Sequence, residues 1–174
     1  MVNRVALSIG SNIDAPGNIR HAIAALGKHY GPLILSSVYE SPAQGFVGAN
    51  FLNLVVVLDT AESLAELLGI IRQLEDQQGR DRSAPRYASR TLDIDVLTYG
   101  EYTGCHGGIT LPRAEIATRA FVLLPLAEVL PNTIHPLLQQ SYCRLWEQFD
   151  KQSQRIWRLE FDWQTAMPAS DLRD

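Results

Sequence analysis

Asp93 and Asp95 alternate with Leu92, Ile94 and Val96 in the run Arg90-Thr91-Leu92-Asp93-Ile94-Asp95-Val96-Leu97, the pattern of a strand with one wet and one buried face. Side chains two apart on a strand share a face, with Cα atoms roughly 6.5 to 7 Å apart. The two carboxylates therefore converge, and carboxylate oxygens are the ligands that Mg²⁺ takes. Just upstream, Arg80, Arg82, Arg86 and Arg90 fall within eleven positions, among Gly79, Ser83, Pro85 and Ser89, a composition that predicts an irregular loop. Guanidinium groups bind phosphate oxygens through paired donors. A cationic loop running into an acidic strand is thus a donor set for a nucleoside triphosphate with its metals. Taken singly, an Asp-x-Asp on a strand is the ordinary wet face of a half-exposed sheet, and an Arg-rich loop is an ordinary solvated surface. Their adjacency in a chain of net charge −4 separates them from that background.

These residues need a frame to hold them. At 174 residues the chain fits one domain, which buries roughly 70% of its unfolded surface at that size. We take residues 1–160 as that domain and 161–174 as a polar C-terminal tail. Hydrophobic residues make up 46% and charged residues 20%, ordinary globular usage without repeats or low-complexity tracts. A sequence pI near 5.5 opposes a protein that coats nucleic acid or an anionic membrane, because both need a broad basic field. Cys105 and Cys143 stand far apart without metal-ligand spacing and are expected to be free thiols. His21, His29, His106 and His135 share no metal-ligand spacing either. Val5 to Ile9 is a short strand ending at Gly10 rather than a signal peptide, and no apolar run reaches the roughly 20 residues of a membrane span, so a cytoplasmic protein is expected.

The first strand is expected over Val2 to Ile9, and a helix over about 17 to 29 from the spacing of Ile19, Ile23 and Leu26, with Gly27 or Gly31 as its stop. Pro32 to Tyr39 and Phe51 to Leu58 are the next strands, separated by the Pro- and Gly-broken loop after Ser41. Ser63 and Glu66 have capping-box spacing ahead of the stripe Leu64, Leu67, Leu68, Ile71 and Leu74. The Asp-bearing strand closes a β-α-β-β-α-β order. This predicts an α+β fold: a ferredoxin-like core, an antiparallel-rich sheet with helices packed on it, and C-terminal helices over Arg119 to Val129 and Leu137 to Phe149. A short strand at Ile109 to Leu111 is also expected, and the pattern fades after Lys151.

Several separated motifs agree with one family. Ile9-Gly10-Ser11-Asn12, the Ser41-Pro42 loop leading to Phe51-Leu52-Asn53, Glu75 through Gln78-Gly79-Arg80, and Arg90-Thr91-Leu92-Asp93-Ile94-Asp95 recur with Leu111-Pro112, Arg119, Phe121 and Pro125-Leu126. Together they resemble the 6-hydroxymethyl-7,8-dihydropterin pyrophosphokinases of folate biosynthesis over about 125 residues. Members transfer a pyrophosphoryl group from ATP to the hydroxymethyl oxygen of the dihydropterin and release AMP. The resemblance implies that Asp93 and Asp95 hold two Mg²⁺ ions, and that Arg82 and Arg90 act with them in catalysis. It further implies that Ser41, Pro42, Gln44 and Asn53 bind the polar edge of the pterin while Phe51 and Phe121 stack on its ring. Glu75, Arg82, Arg90, Arg113 and Arg119 would line the ATP site.

The chain departs from the family at three nucleotide-side positions: Tyr87 replaces a usual Trp, and Arg113 and Ala114 replace a His and a frequent Tyr. Residue 51 is Phe rather than Tyr. A non-catalytic or altered-substrate pterin-binding paralog is therefore the alternative reading. A ferredoxin-like nucleic-acid binder is opposed by the acidic balance, and the chain has no G-x-x-x-x-G-K-[ST] run, which excludes a P-loop kinase. ATP and the dihydropterin are the expected partners, with neither nucleic acid nor membrane; oligomeric state is left open.

Overall fold

A computed structural model describes residues 1–79, 83 and 88–164. Strands β1 (Asn3–Ser11), β2 (Ile34–Leu35), β3 (Val38–Ser41), β4 (Phe51–Thr60) and β5 (Asp93–Tyr99) enclose helices α1 (Ala15–Tyr30) and α2 (Leu64–Gln77) in the expected β-α-β-β-α-β order, the second strand being split in two. A hairpin of β6 (Gly104–His106) and β7 (Ile109–Leu111) follows, then α3 (Glu115–Thr118), α4 (Ala120–Val129), α5 (Tyr142–Gln148) and β8 (Trp157–Leu159). The main sheet runs β5-β1-β4-β3-β8, with β2 also on β4, and every pairing is antiparallel. This is the ferredoxin-like architecture.

The apolar pattern dictates two cores. Leu7, Ile9, Leu54, Val56, Ile94 and Val96 face α1 and α2, meeting Ile19, Leu26, Leu67 and Ile71. From the opposite face, Ala6, Val55, Val57 and Leu97 meet Ile116, Val122, Leu123, Leu126 and Tyr142. The central strands are covered on both sides, which is why Val5 to Ile9 and Leu52 to Leu58 are buried at every position and apolar except at Ser8 and Asn53, rather than alternating. The helices α3 to α5 cover only part of the second face. On β5 that boundary falls inside one row of side chains: Leu97 lies under the helices, while Asp95 and Asp93, two and four residues before it, stand beyond them.

The capping box forms as its spacing predicts, Ser63 N–H donating to Glu66 Oε2 at 2.7 Å and Glu66 N–H to Ser63 Oγ at 3.3 Å. Other boundaries differ. α1 begins at Ala15, because Pro16 is tolerated in a first turn whose N–H groups have no intrahelical acceptor. The second strand breaks at Ser36, whose hydroxyl takes the Val55 N–H at 2.9 Å in place of a backbone carbonyl. Helix α5 starts at Tyr142, not Leu137. His135 Nδ1 accepts the N–H groups of Leu137 and Leu138, each at 3.2 Å, and Ser141 Oγ caps the helix by accepting from Arg144 N–H at 3.2 Å.

The C-terminal segment also departs from expectation. β8 adds to the open edge of β3, Phe161 packs against the α1 core, and Arg20 Nε donates to Asp162 O at 2.7 Å. Docked structure thus continues through Phe161 and Asp162, in the stretch that the sequence assigns to a polar tail; a three-residue edge strand held by backbone pairing leaves no periodicity to detect. Cys105 and Cys143 are free and exposed. Among the described residues no helix is long and apolar enough to cross a membrane.

Candidate active site

Strand register places the chemistry in one row. Gly10 on β1 pairs with Asn53 on β4 at one side and with Asp93 on β5 at the other; Ser8 likewise pairs with Val55 and Asp95. Directly opposed residues of antiparallel strands share a face, so Asn53, Gly10 and Asp93 span three strands, roughly 10 Å at the usual spacing of about 4.8 Å. The middle of the row has no side chain. A Cβ at Gly10 would stand 3.4 Å from Asn53 Oδ1 and 3.8 Å from the Phe51 ring. The row floors a cleft of about 330 Å³, walled by Ser41, Pro42, Gln44 and Phe46 on one side, by Ala88 and Arg90 on another, and by Arg113, Glu115, Arg119 and Phe121 across the top.

One end is suited to a flat polar ring. Asn53 is buried and donates to Ser41 Oγ at 3.0 Å and to the Phe51 carbonyl at 3.4 Å, which fixes its amide with Oδ1 toward the Gly10 gap. Phe46 meets Phe51 edge to face, ring centroids 6.3 Å apart. Gly48 permits that approach, since a Cβ there would meet the Phe46 ring at 2.5 Å. Arg119 reaches across from the start of α4 to donate from Nη1 to Gln44 Oε1 at 2.7 Å, and Phe121 follows two residues later.

The other end is suited to cations and phosphates. Burial raises the Asp95 pKa above the usual carboxylate value and the neighbouring Asp93 charge raises it further, while Arg113 works in the opposite direction. Arg113 Nη2 donates to Asp95 Oδ1 at 2.5 Å, Arg113 Nε lies 4.0 Å from Glu115 Oε2, and Arg90 Nε lies 3.8 Å from Asp93 Oδ2. The donor set fits Mg²⁺: Asp93 and Asp95 bring two carboxylates to the cleft, and Mg²⁺ is typically held by one or two carboxylates plus waters and substrate phosphates. A cation between Asp93 and Asp95 would also remove the like-charge penalty on Asp95.

Asn12 ties the loops that flank the cleft. Its Nδ2 donates to Ala49 O at 3.0 Å and to Ser89 Oγ at 3.2 Å, its Oδ1 accepts from Arg90 N–H at 2.7 Å, and Ser11 Oγ donates to Thr91 O at 2.5 Å.

Ser41, Pro42, Gln44, Phe51, Asn53, Arg90, Asp93, Asp95, Arg113, Arg119 and Phe121 thus share one cleft. Glu75 does not line it. Its carboxylate is buried at the free edge of β5, where Oε1 accepts from Ile94 N–H at 2.9 Å, so this residue supports the strand that carries the aspartates. Arg82 and Tyr87 lie outside the described residues. Sequence reading did not single out Gly10, Phe46 or Glu115 as site residues. A glycine inside a strand signals close approach by something else, and that clue was available for Gly10; Phe46 and Glu115 carry no comparable signal.

The model of the family described as 7,8-dihydro-6-hydroxymethylpterin-pyrophosphokinase (HPPK) matches residues 6–131. The 2-amino-4-hydroxy-6-hydroxymethyldihydropteridine pyrophosphokinase of Bacillus subtilis is 35% identical over 133 residues, 74% of this chain and 79% of the relative. The enzyme of the same name from Aquifex aeolicus is 35% identical over 138 residues, 78% of this chain and 86% of the relative. A crystal structure of Plasmodium falciparum HPPK-DHPS with pteroate superposes with a TM-score of 0.66 at 14% identity, covering 85% of this chain and 44% of that larger one, a likeness of fold. The chain belongs to the 7,8-dihydro-6-hydroxymethylpterin-pyrophosphokinase family.

Proposed function

We propose that this chain transfers the pyrophosphoryl group of ATP to the hydroxymethyl oxygen of 6-hydroxymethyl-7,8-dihydropterin, giving AMP and the pterin diphosphate in folate biosynthesis. The observation that carries the reading is the row Asn53, Gly10, Asp93: an amide with aromatic neighbours at one end, carboxylates at the other, and a gap between them where a hydroxymethyl group fits.

Asn53 and Ser41 bind the polar edge of the pterin, an amide offering both a donor and an acceptor, while Phe51 and Phe121 contact its ring. Asp93 and Asp95 would hold two Mg²⁺ ions, which would neutralise triphosphate charge and stabilise the attacking and leaving oxygens. Arg90 and Arg119 bind phosphate oxygens, and Arg113, positioned beside Asp95, joins them. Arg82 acts with them in catalysis by its resemblance to the family motif. In the reaction a bond forms from the hydroxymethyl oxygen to the β phosphorus as the bond from that phosphorus to the α-phosphate oxygen breaks; the electron pair leaves with AMP and the hydroxyl proton goes to solvent. Catalysis is positioning plus stabilisation of charge on the non-bridging oxygens. Use of ATP suits a cytoplasmic enzyme.

AMP formation from ATP, dihydropterin alcohol and Mg²⁺ is the direct assay. Asp95→Asn and Asp93→Asn are expected to abolish it while leaving circular dichroism unchanged. Near-parental turnover in either folded variant would remove the aspartates from the mechanism. Pterin binding without AMP at any ATP concentration would instead favour a non-catalytic binder.

A further inference from the structure

The chain beyond residue 131 lies outside the family match, yet one of its side chains reaches the cleft wall. Gln154 Nε2 donates to Thr118 O at 2.8 Å, and Gln154 Oε1 accepts from Ala120 N–H at 3.0 Å. These two backbone groups bracket Arg119, the single extended residue (φ −124°, ψ 119°) between α3 and α4. Paired bonds to either side of one extended residue are what a neighbouring strand supplies; here a side-chain amide supplies them. The bond to Ala120 also fills a gap, because the first N–H groups of a helix lack intrahelical acceptors and Arg119 at the N-cap position of α4 makes no side-chain cap.

Gln154 is itself held in place. Ser153 N–H and Oγ both donate to Asp150 O, at 3.2 and 2.6 Å, closing the preceding turn. Downstream, Trp157 Nε1 donates to Glu40 Oε2 at 2.9 Å and β8 pairs with β3. The amide therefore meets the α3–α4 joint already ordered. From that joint Arg119 extends to Gln44, and Phe121 enters the cleft.

We propose that Gln154 is a positioning residue, aiming Arg119 and Phe121 at the substrates by clamping the backbone on both sides of Arg119. This rests on the pyrophosphokinase reading for the identity of the ligands, though not for the clamp itself. It predicts a role in substrate affinity for a segment that the family match does not reach.

The test compares Gln154→Ala and Gln154→Met with Ser141→Ala, which removes a helix cap at α5, away from the cleft. Three quantities are read in each: equilibrium affinity for the dihydropterin alcohol with a non-hydrolysable ATP analogue, steady-state KM and kcat, and hydrogen exchange at the Ala120 amide. Both Gln154 variants are expected to weaken pterin binding on the order of fivefold, the scale of one lost neutral hydrogen bond, to raise KM more than they lower kcat, and to speed Ala120 exchange. Gln154→Glu keeps the acceptor for Ala120 N–H but loses the donor to Thr118, and should fall between parent and Gln154→Ala. Ser141→Ala should leave affinity unchanged. Affinity within twofold of the parent in every Gln154 variant overturns the proposal, as does an equal loss in Ser141→Ala. If Gln154→Ala and Gln154→Met do not fold, Gln154→Glu decides by the same criteria. A parent protein that makes no AMP would overturn the functional reading, and unchanged Ala120 exchange would separately overturn the clamp.

Discussion

Arg113 Nη2 sits 2.5 Å from Asp95 Oδ1, so one of the two carboxylates assigned to metal already has a cation of the chain's own against it. The guanidinium is permanently charged, and the backbone N–H of Arg113 is fixed to Leu97 O at 2.9 Å, two residues further along the same strand. A divalent ion taking Asp95 must share or displace it, and Glu115 on one side is the available second partner. Arg113→Met should therefore tighten binding of Mn²⁺ to the protein without nucleotide. The pair is partly exposed, so a gain of roughly two- to fivefold is expected, in line with about 0.5–1 kcal/mol for such pairs. Titration followed by the electron paramagnetic resonance of free Mn²⁺ measures it, and an unchanged dissociation constant would mean that Arg113 does not compete.

Gly10 keeps an extended backbone that any residue adopts, so replacing it carries no conformational penalty. Gly10→Ala should leave the melting temperature unchanged or raise it, since alanine at a compatible position stabilises by about 0.4–1 kcal/mol through the unfolded chain. The added methyl would nevertheless stand in the floor of the cleft against Asn53. Overpacking costs about 1–3 kcal/mol, hence pterin affinity should fall by about tenfold or more. Parental affinity in Gly10→Ala would move the ligand off this floor.

Glu75 separates support of the strand from contact with nucleotide. Glu75→Ala leaves the Ile94 N–H without the carboxylate that accepts from it, and a buried unsatisfied donor costs about 1–3 kcal/mol. The expected outcome is a lower unfolding midpoint in denaturant, with Glu75→Gln, which retains an acceptor oxygen, losing less. A raised KM for ATP with unchanged stability would give Glu75 a role at the nucleotide rather than in support of the strand.

His135 makes stability depend on pH. Its ring is buried, which lowers its pKa below the ordinary 6.5, and its Nδ1 can accept from Leu137 and Leu138 only while unprotonated. As pH falls, the unfolded chain takes up this proton before the folded one does. Its contribution is thus complete above about 6.5, declines below that value, and levels off once the folded imidazole is also protonated. His135→Asn keeps an acceptor without titrating and should flatten the dependence. Identical stability profiles for parent and variant between pH 5 and 7, about the range where histidine titrates, would show that His135 contributes none of it.

The aspartate strand, the capping box and the β-α-β-β-α-β order were legible because each is a local pattern: a period of two, a spacing of three, or an apolar stripe. Leu137 to Gln140 misled because their apolar content resembles a helix face, whereas the side chains of His135 and Ser141 decide where backbone N–H groups go. Glu75 stands in a motif shared with nucleotide-site residues, and motif membership does not reveal that its carboxylate also holds the Ile94 N–H. Arg113 was legible as a departure, but its contact with Asp95 depends on how the segment after β7 returns to β5. Gln154 could not be found from sequence at all, since its partners are backbone groups 34 and 36 positions away and any residue could have supplied them.

Asn12 gives the cleft one further property. Its amide is the common anchor of Ala49, in the loop beside the pterin end, and of Ser89 and Arg90, in the loop beside the phosphate end. A shift in either loop must be transmitted through that amide or break it, so the two substrates do not report to independent halves of the protein. Whatever affinity a nucleotide adds for the pterin, the pterin must add equally for the nucleotide; Asn12→Ala removes the shared anchor and is expected to reduce that mutual gain, read as the ratio of pterin dissociation constants with and without a non-hydrolysable ATP analogue.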